Sequence, residues 1–161
     1  MAPIADARAP LTDVRVGILG GGQLGRMLAQ AASPLGLYTA VLDPAGDKAS
    51  AADAAAAAVA GDFKKAEDII RFVDAVRPHV LTVEIEHVNV DALEAVQRER
   101  GRGSEPAGLA AARRAKRATS RALARNAAAG IPVYPTPGTI ALIQDKYRQK
   151  EHFQYAALET Q

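Results

Sequence analysis

The sequence predicts an α/β protein built on a parallel, doubly wound sheet, and three observations lead to that fold class. First, residues 14–43 read as a buried strand, a glycine-rich turn, a helix and a second strand. Second, β-rich and helical patterns alternate from there to about residue 100. Third, no apolar run reaches the roughly 18 residues of a membrane span, so these apolar segments are expected to be strands and helices of a folded domain and not membrane-spanning helices. Alternation of this kind is typical of a parallel sheet with helices on its faces.

The first strand–turn–helix unit carries the strongest local signal. Gly20, Gly22 and Gly25 follow the apolar strand, and Asp43 closes the next strand. This spacing fits a dinucleotide-binding turn, in which glycines let the chain turn sharply and let an anion approach the next helix. The ligand need not be a dinucleotide, since a helix N-terminus accepts any phosphate or carboxylate. Alternatively, the glycines only permit close helix–strand packing, and Asp43 lies in solvent.

The elements that follow extend the alternation. The alanine-rich segment Pro44–Ala60 is compatible with a helix, or with a short strand around Val59. Apolar residues at helical spacing predict a helix over Lys64–Val76. The run His79–Glu86 predicts a strand, and a helix is predicted over Val90–Gln97. The predicted order is therefore β-α-β-(α)-β-α-β-α.

An acidic pair ends the strand predicted over residues 79–86. Glu84 and Glu86 are two residues apart, so on a strand their side chains point to the same side. Burying two carboxylates there is costly unless they bind a cationic or hydroxyl-bearing group. The alternative is two solvated carboxylates at a strand end. His87 is expected to be a loop histidine, because no second His or Cys lies at metal-ligand spacing.

Composition sets further bounds. The 161 residues suffice for one domain and contain no cysteine, which agrees with a reducing compartment. Residues 1–13 hold two prolines and two aspartates without a hydrophobic segment, so they are predicted to be a disordered start and not a secretory signal. The expected location is the cytoplasm, with no membrane association.

Five stretches of the sequence together resemble a known enzyme family. They are VGILGGGQLGRMLAQAASPLG, VLDP, GDFKKAEDI, LTVEIEHVNVDALE and YPTPGTIALIQDKYRQKEHF. They are similar to the N-terminal part of 5-(carboxyamino)imidazole ribonucleotide synthases. More closely, they resemble the fungal-type phosphoribosylaminoimidazole carboxylases that begin with the same module. The resemblance covers Val14–Arg100 and Gly130–Phe153.

The resemblance implies an ATP-grasp ligase of de novo purine biosynthesis. Such enzymes use Mg-ATP to activate bicarbonate as carboxyphosphate and then carboxylate aminoimidazole ribonucleotide. It also implies a Rossmann-like pre-ATP-grasp domain over residues 14–143, followed by the start of an ATP-grasp region over residues 144–161. The family is commonly homodimeric. The partners implied are small-molecule substrates, and nucleic acid is not the expected partner.

The resemblance also suggests site residues. The pocket for aminoimidazole ribonucleotide would be formed by glycine-loop residues and by the acidic pair: Gly21, Gly22, Gln23, Leu24, Glu84 and Glu86. Lys146 and Lys150, on a linker helix starting at Gln144, would contact ATP, although on sequence alone each is a solvated helix charge. No catalytic residue or metal ligand is expected in this part, since Mg²⁺ and most ATP contacts belong to the ATP-grasp domain.

Apolar residues near the C-terminus are assigned packing roles. Ile140, Leu142 and Ile143 are expected to pack against the end of the sheet, and Phe153 against the helix that follows.

The sequence departs from the family pattern at two places. Residues 101–129 have no counterpart in that pattern and hold seven basic residues against Glu105, a net charge of +6. Since the whole chain carries +2, the remainder carries −4. The second departure is the end at Gln161, before the bulk of an ATP-grasp domain. The chain alone is therefore expected to be inactive and to bind the ribonucleotide weakly.

Two other functions remain open. The glycine motif and Asp43 are compatible with an NAD(P)-binding domain of an oxidoreductase. The basic segment 101–129 is compatible with a surface excursion that has no function, with a non-catalytic module that binds anions or nucleic acid, or with a docking helix.

Overall fold

The computed structural model describes residues 14–99 and 130–159. The predictions of a disordered start over residues 1–13 and of a basic insert over 101–129 lie outside the described residues.

The described residues form one five-stranded sheet in which all strand pairs are parallel, in the order β3-β2-β1-β4-β5. Leu19 at the end of the first strand pairs with Leu42 on one side and with Val83 on the other. The strand order reverses between β1 and β4, so a crevice opens at their carboxyl ends. The strands are β1 Arg15–Leu19, β2 Tyr38–Asp43, β3 Ala57–Ala60, β4 Val80–Val83 and β5 Val133–Tyr134.

In residues 14–99 and 130–159, five α-helices accompany the sheet, and the fold class predicted from the sequence is confirmed. Short 3₁₀ turns occupy Ser33–Leu35 and Gly46–Lys48. The helices are α1 Gln23–Ala32, α2 Ala66–Val76, α3 Val90–Glu99, α4 Pro137–Gln144 and α5 Lys146–Glu159. Within the described ranges, no helix is both long and apolar enough to cross a bilayer.

Alternate strand residues point to opposite sides, so the two faces of the sheet carry separate hydrophobic clusters, one large and one small. Leu19 and Leu42 contribute to the larger core, which α2 and α3 fill with residues such as Phe72 and Leu93. The opposite face carries a smaller cluster: Ile18, Val41 and Ala51. Helix α1 lies on this second side, where a methyl group at Gly25 would be 3.8 Å from the Ala51 Cβ.

The alanine-rich segment between β2 and β3 does not form the α-helix that its composition allows. It forms the 3₁₀ turn and further turns, and then the strand Ala57–Ala60. The strand expected around Val59 is therefore confirmed, while the helix is wrong. Alanine alone gives a helix no apolar stripe to bury, whereas the last residues gain a ladder with Ala40–Asp43 of β2.

β4 is shorter than the strand predicted over residues 79–86. The Glu84 N–H donates to the Leu19 carbonyl at 2.9 Å, and β1 then leaves the sheet at Gly20. The partner strand is lost at that point, so residues 84–86 form a loop. The premise that Glu84 and Glu86 lie on one strand is therefore wrong, and the two side chains have different surroundings.

The C-terminal segment contains two helices separated by one residue. Thr136 caps α4 by accepting from the Thr139 N–H, and Asp145 interrupts the helical backbone. The linker helix expected from Gln144 therefore begins at Lys146.

The packing predicted for this segment holds in part. Ile140 is buried in the core, and Leu142 and Ile143 are half-buried. Phe153 is 62% exposed, so the packing predicted for it is wrong. Its ring lies edge-on to the His152 ring, with the ring centroids 6.0 Å apart.

Candidate functional site

The candidate site lies at the crevice where the carboxyl ends of β1 and β4 meet. The glycine turn that follows β1 and the acidic loop that follows β4 approach each other there. A methyl group at Gly20 would lie 2.5 Å from the Glu84 Oε2, and Gly20 adopts a φ of +104°. Both conditions require glycine, because other residues rarely adopt that backbone conformation and the added carbon would overlap the carboxylate.

The glycine turn also brings the start of α1 onto the end of β1. A methyl group at Gly25 would overlap the backbone carbonyl of Gly20, so glycine permits this close approach. Gly22 is the N-cap residue and no side chain caps the helix. The N–H groups of Gln23 and Leu24 consequently have no acceptor within the helix, and both residues are exposed.

Asp43 does not lie free in solvent at the end of β2. Its Oδ2 accepts from the Gly21 N–H at 2.8 Å, and its Oδ1 accepts from the Ala45 N–H at 2.9 Å. The Gly20 N–H donates to the Leu42 carbonyl at 3.0 Å. Two of the turn's N–H groups are therefore bonded within the protein, whereas those of Gln23 and Leu24 at the start of α1 have no acceptor within the helix. Asp43 is a clamp on the glycine turn.

Glu84 and Glu86 occupy distinct positions. Glu84 is half-buried, and its Oε1 is 3.4 Å from the place that a Gly22 methyl would occupy. Its carboxylate thus lies beside the N-terminus of α1, where the helix dipole stabilises negative charge. The Glu86 side chain is 52% exposed, with Oε1 at 3.6 Å from the His87 Nε2. His87 is exposed in the loop, in agreement with its predicted position.

Both acids line one open groove of about 500 Å³. The remaining lining is largely apolar: Val83, Ile85, Pro135, Ile140 and Ile143, with His87. An ionised carboxylate only accepts hydrogen bonds, so this groove suits a flat ring or sugar that carries amine or hydroxyl donors. A phosphate placed directly against Glu84 would meet like charge.

Gln144 is a polar contact of the acidic loop that sequence reasoning did not assign to the site. Its Nε2 donates to the Glu86 carbonyl at 2.6 Å and to the Val88 carbonyl at 2.9 Å. It also lines a second open groove of about 450 Å³ with Lys64, His87, Val88 and Asn89. No local sequence signal indicates this role, because donor and acceptors are about 60 residues apart in the chain.

The structure does not bring every predicted site residue together. Gly21, Gly22, Gln23 and Leu24 form the turn and the start of α1, and Glu84 lies beside them. Lys146 and Lys150 are exposed on α5, and neither lines the two grooves. Their predicted contact with ATP stays a prediction.

The described residues do not fit a magnesium site. Within residues 14–99 and 130–159, no three acidic or histidine side chains converge on one point. Magnesium is bound by several oxygen ligands, usually carboxylates and phosphates. Any bound Mg²⁺ would have to be held by groups other than these residues alone.

Comparison with known proteins identifies the family. A family model described as the ribonucleotide synthetase preATP-grasp domain matches residues 14–113. The phosphoribosylaminoimidazole carboxylase of Candida glabrata is 40% identical over 137 residues, which is 85% of this chain and 19% of the relative. The match to the family model ends within residues 101–129, and the status of that segment as an insert stays a prediction.

Solved structures show the same fold. The Aspergillus clavatus N5-carboxyaminoimidazole synthase, in complex with ADP and 5-aminoimidazole ribonucleotide, superposes with a TM-score of 0.63 at 32% identity. It is matched over 91% of this chain and 30% of its own. The Thermotoga maritima N5-carboxyaminoimidazole ribonucleotide synthetase gives a TM-score of 0.61 at 28% identity, over 88% of this chain and 30% of its own.

These matches agree with one another and with the resemblance noted from the sequence. This chain spans 19% of the length of the C. glabrata relative and 30% of each of the two solved structures. The family model covers well over half of this chain, from the first residue of the described structure onward. The chain therefore belongs to the ribonucleotide synthetase preATP-grasp domain family.

Proposed function

We propose that this chain binds 5-aminoimidazole ribonucleotide in the groove beside Glu84, as part of an ATP-dependent carboxylation in de novo purine biosynthesis. One observation carries the proposal: a half-buried carboxylate lies against the glycine turn, at the edge of an apolar groove. The fold is that of the A. clavatus enzyme, which was solved with this ribonucleotide and ADP.

The groove offers complementary partners to such a ligand. Glu84 and Glu86 supply acceptors for ribose hydroxyls or for an exocyclic amine. Apolar side chains such as Val83 and Ile85 present a surface for the face of a heterocycle. The N–H groups of Gln23 and Leu24, which have no acceptor within the helix, can donate to an anionic group held away from Glu84.

The co-substrates are ATP and bicarbonate. A bicarbonate oxygen attacks the γ-phosphorus of ATP and ADP leaves; the amine of the ribonucleotide then attacks the carboxyl carbon and phosphate leaves. Residues 144–161 form the start of the ATP-grasp region in this proposal, and Lys146 and Lys150 neutralise phosphate charge.

Titration of the full chain with 5-aminoimidazole ribonucleotide tests the proposal. We expect ¹⁵N chemical-shift changes at Gly22 and Leu24, and a roughly tenfold loss of affinity in Glu84→Gln, because a charge-assisted hydrogen bond is lost. Glu67→Gln, at an exposed site on α2, is the matched control and is expected to bind normally. Unchanged affinity in Glu84→Gln would contradict the proposal.

An NAD(P)-binding role is disfavoured by the state of Asp43. In a dinucleotide-binding fold the acid after the second strand accepts from ribose hydroxyls. Here both oxygens of Asp43 already accept backbone N–H groups. NADH fluorescence is therefore expected to stay unchanged on addition of the chain. Saturable NADH binding that 5-aminoimidazole ribonucleotide fails to displace would favour the oxidoreductase instead.

Assembly and location remain predictions. Sedimentation of the full chain tests the homodimer, and fractionation of the source cells tests the cytoplasmic location. A nucleic-acid-binding role for residues 101–129 predicts binding that weakens steeply with salt and is lost on deleting the segment.

A further inference from the structure

Gln144 joins two segments that are distant in sequence. It is the last residue of α4, and its amide nitrogen donates to the carbonyls of both Glu86 and Val88. The Glu86 carbonyl also accepts from the Val88 N–H at 3.0 Å. One side-chain NH₂ group therefore donates to both carbonyls of a tight turn, and this turn contains Glu86, the more exposed of the two acids that line the groove.

Near Glu86, the loop makes few other hydrogen bonds to the rest of the protein. Its last bond to β1 is made by the Glu84 N–H, and its next anchor is the Asn89 N–H, which donates to the Phe63 carbonyl at 3.0 Å. Within residues 14–99 and 130–159, the bonds from Gln144 are those that tie the Glu86 backbone to another element. Removing these hydrogen bonds leaves the backbone between Glu84 and Asn89 without a bond to another element.

Gln144 also stands at the start of the next helix. The following residue, Asp145, accepts from the N–H groups of Tyr147 at 3.0 Å and Arg148 at 3.1 Å, and so caps α5. Two adjacent residues between α4 and α5 thus have separate roles. The Gln144 side chain holds the acidic loop, and the Asp145 side chain caps the helix that contains Lys146.

We infer that Gln144 is a positioning residue that sets where Glu86 lies over the groove, an inference that rests on the proposed function for the identity of the ligand. Glu86 belongs to a loop and not to the sheet, so its carboxylate has no strand to orient it. The two hydrogen bonds from Gln144 supply that orientation. Because the next residue, Asp145, caps α5, they also fix the position of the Glu86 loop relative to the helix that contains Lys146.

A double-mutant cycle on the full chain tests whether Gln144 acts through Glu86. We expect Gln144→Ala to weaken binding of 5-aminoimidazole ribonucleotide about fivefold, the size of one net hydrogen bond. In the background of Glu86→Gln, Gln144→Ala is expected to cost nothing further, because the residue through which it acts has been altered. Losses that simply add would overturn the inference. Gln154→Ala, at an exposed position of α5, is the control.

Amide hydrogen exchange gives a second measurement that needs no ligand. Gln144→Ala, and Gln144→Glu, which cannot donate to two carbonyls, should raise exchange at Val88 and Asn89 about tenfold while leaving α2 unchanged. Unchanged exchange at both amides would overturn the inference. Should the unsubstituted chain not bind the ribonucleotide, the proposed function fails, and exchange alone decides whether Gln144 holds the loop.

Discussion

At the scale of single residues, Asp43 shows how one carboxylate organises a turn. Its two oxygens accept hydrogen bonds from the N–H group of Gly21, in the turn after β1, and from the N–H group of Ala45, just after β2. The bond to Ala45 is an Asx turn, a local arrangement typical of aspartate. The bond to Gly21 crosses to the glycine turn after β1. The side chain therefore links the carboxyl ends of β1 and β2, which are neighbours in the sheet.

Asp43→Asn is expected to destabilise the fold. Asparagine offers one oxygen and one NH₂ group, so one backbone N–H loses its acceptor and faces a donor. We expect the free energy of unfolding to fall by about 1–3 kcal/mol, measured by urea denaturation followed by circular dichroism. Asp53→Asn, at an exposed site, should change it by no more than about 0.5 kcal/mol. Equal stabilities of the two variants would show that Asp43 is not a clamp.

Glu84 and Glu86 illustrate what residue spacing can and cannot predict. Their place after an apolar run correctly indicates the end of a strand, but the shared side that their spacing predicts required a strand that in fact stops at Val83. Their different exposure follows from the end of β1 at Leu19, which deprives the loop of its partner strand. Spacing within one segment carries no information about where a neighbouring strand stops.

At the scale of elements, the approach of α1 to β1 depends on glycine. Gly25 lies where a side chain would overlap the Gly20 carbonyl, and that carbonyl belongs to a turn already fastened by Leu42 and Asp43. The backbone at this point therefore has little room to move, so helix and strand must separate to admit a larger residue.

Gly25→Ala is expected to lower the free energy of unfolding by about 1–3 kcal/mol, the cost of overpacking. Gly138→Ala is the matched control, because Gly138 lies in α4 and a methyl group there would meet nothing within 4 Å. That change should raise stability by as much as about 1 kcal/mol, from better helix propensity. Both values come from denaturant titration, and the same sign for the two variants would contradict the packing argument.

The turn before α2 is held by Asp68, and this contact makes stability depend on pH. The Asp62 N–H, which donates to the Asp68 Oδ2 at 2.8 Å, and the nearby Arg71 hold the pKa of Asp68 below its ordinary value of 3.8. A group whose folded pKa is depressed stabilises the fold above its unfolded pKa, and this contribution is lost as pH falls through the folded pKa.

Comparison of the unsubstituted chain with Asp68→Asn tests this linkage. The unsubstituted chain is expected to be the more stable at neutral pH, and the difference should shrink once the pH falls below about 3.8. Thermal unfolding at a series of pH values measures it. Asp47→Asn, at an exposed site, is the control. A difference that stays constant down to acid pH would show that the charge of Asp68 has no part in stability.

At the scale of the whole molecule, the segment between α3 and β5 begins and ends at adjacent places. Gly130 adopts a φ of +85°, and a methyl group there would overlap the carbonyl of Gln97 near the end of α3. The two flanks of residues 100–129 are therefore neighbours in space. The sheet does not require that many residues to connect them.

Replacing residues 100–129 with a glycine–serine linker of about four residues is expected to leave the fold intact. The free energy of unfolding should change by no more than about 1 kcal/mol, because loop-closure entropy varies slowly with length. The net charge should change from +2 to −5, since residues 101–129 carry +6 and residue 100 is one further arginine that is also removed. Urea denaturation and ion-exchange retention measure the two effects. Loss of cooperative unfolding would show that the segment is part of the folded unit.

The sequence by itself determined the parallel α/β class, the strand–turn–helix unit around Gly20 to Gly25 and the helix Ala66–Val76, because apolar periodicity and glycine spacing are local properties. Tertiary structure decided between helix and strand for Ala57–Ala60, and it alone decided the hydrogen bond from the Gly21 N–H to Asp43 and the hydrogen bonds from Gln144 to the loop of Glu86. Each of these depends on a partner at least 17 residues away in the chain. A backbone amide or carbonyl is present at every such position, so residue type does not reveal which ones meet until the sheet brings them together.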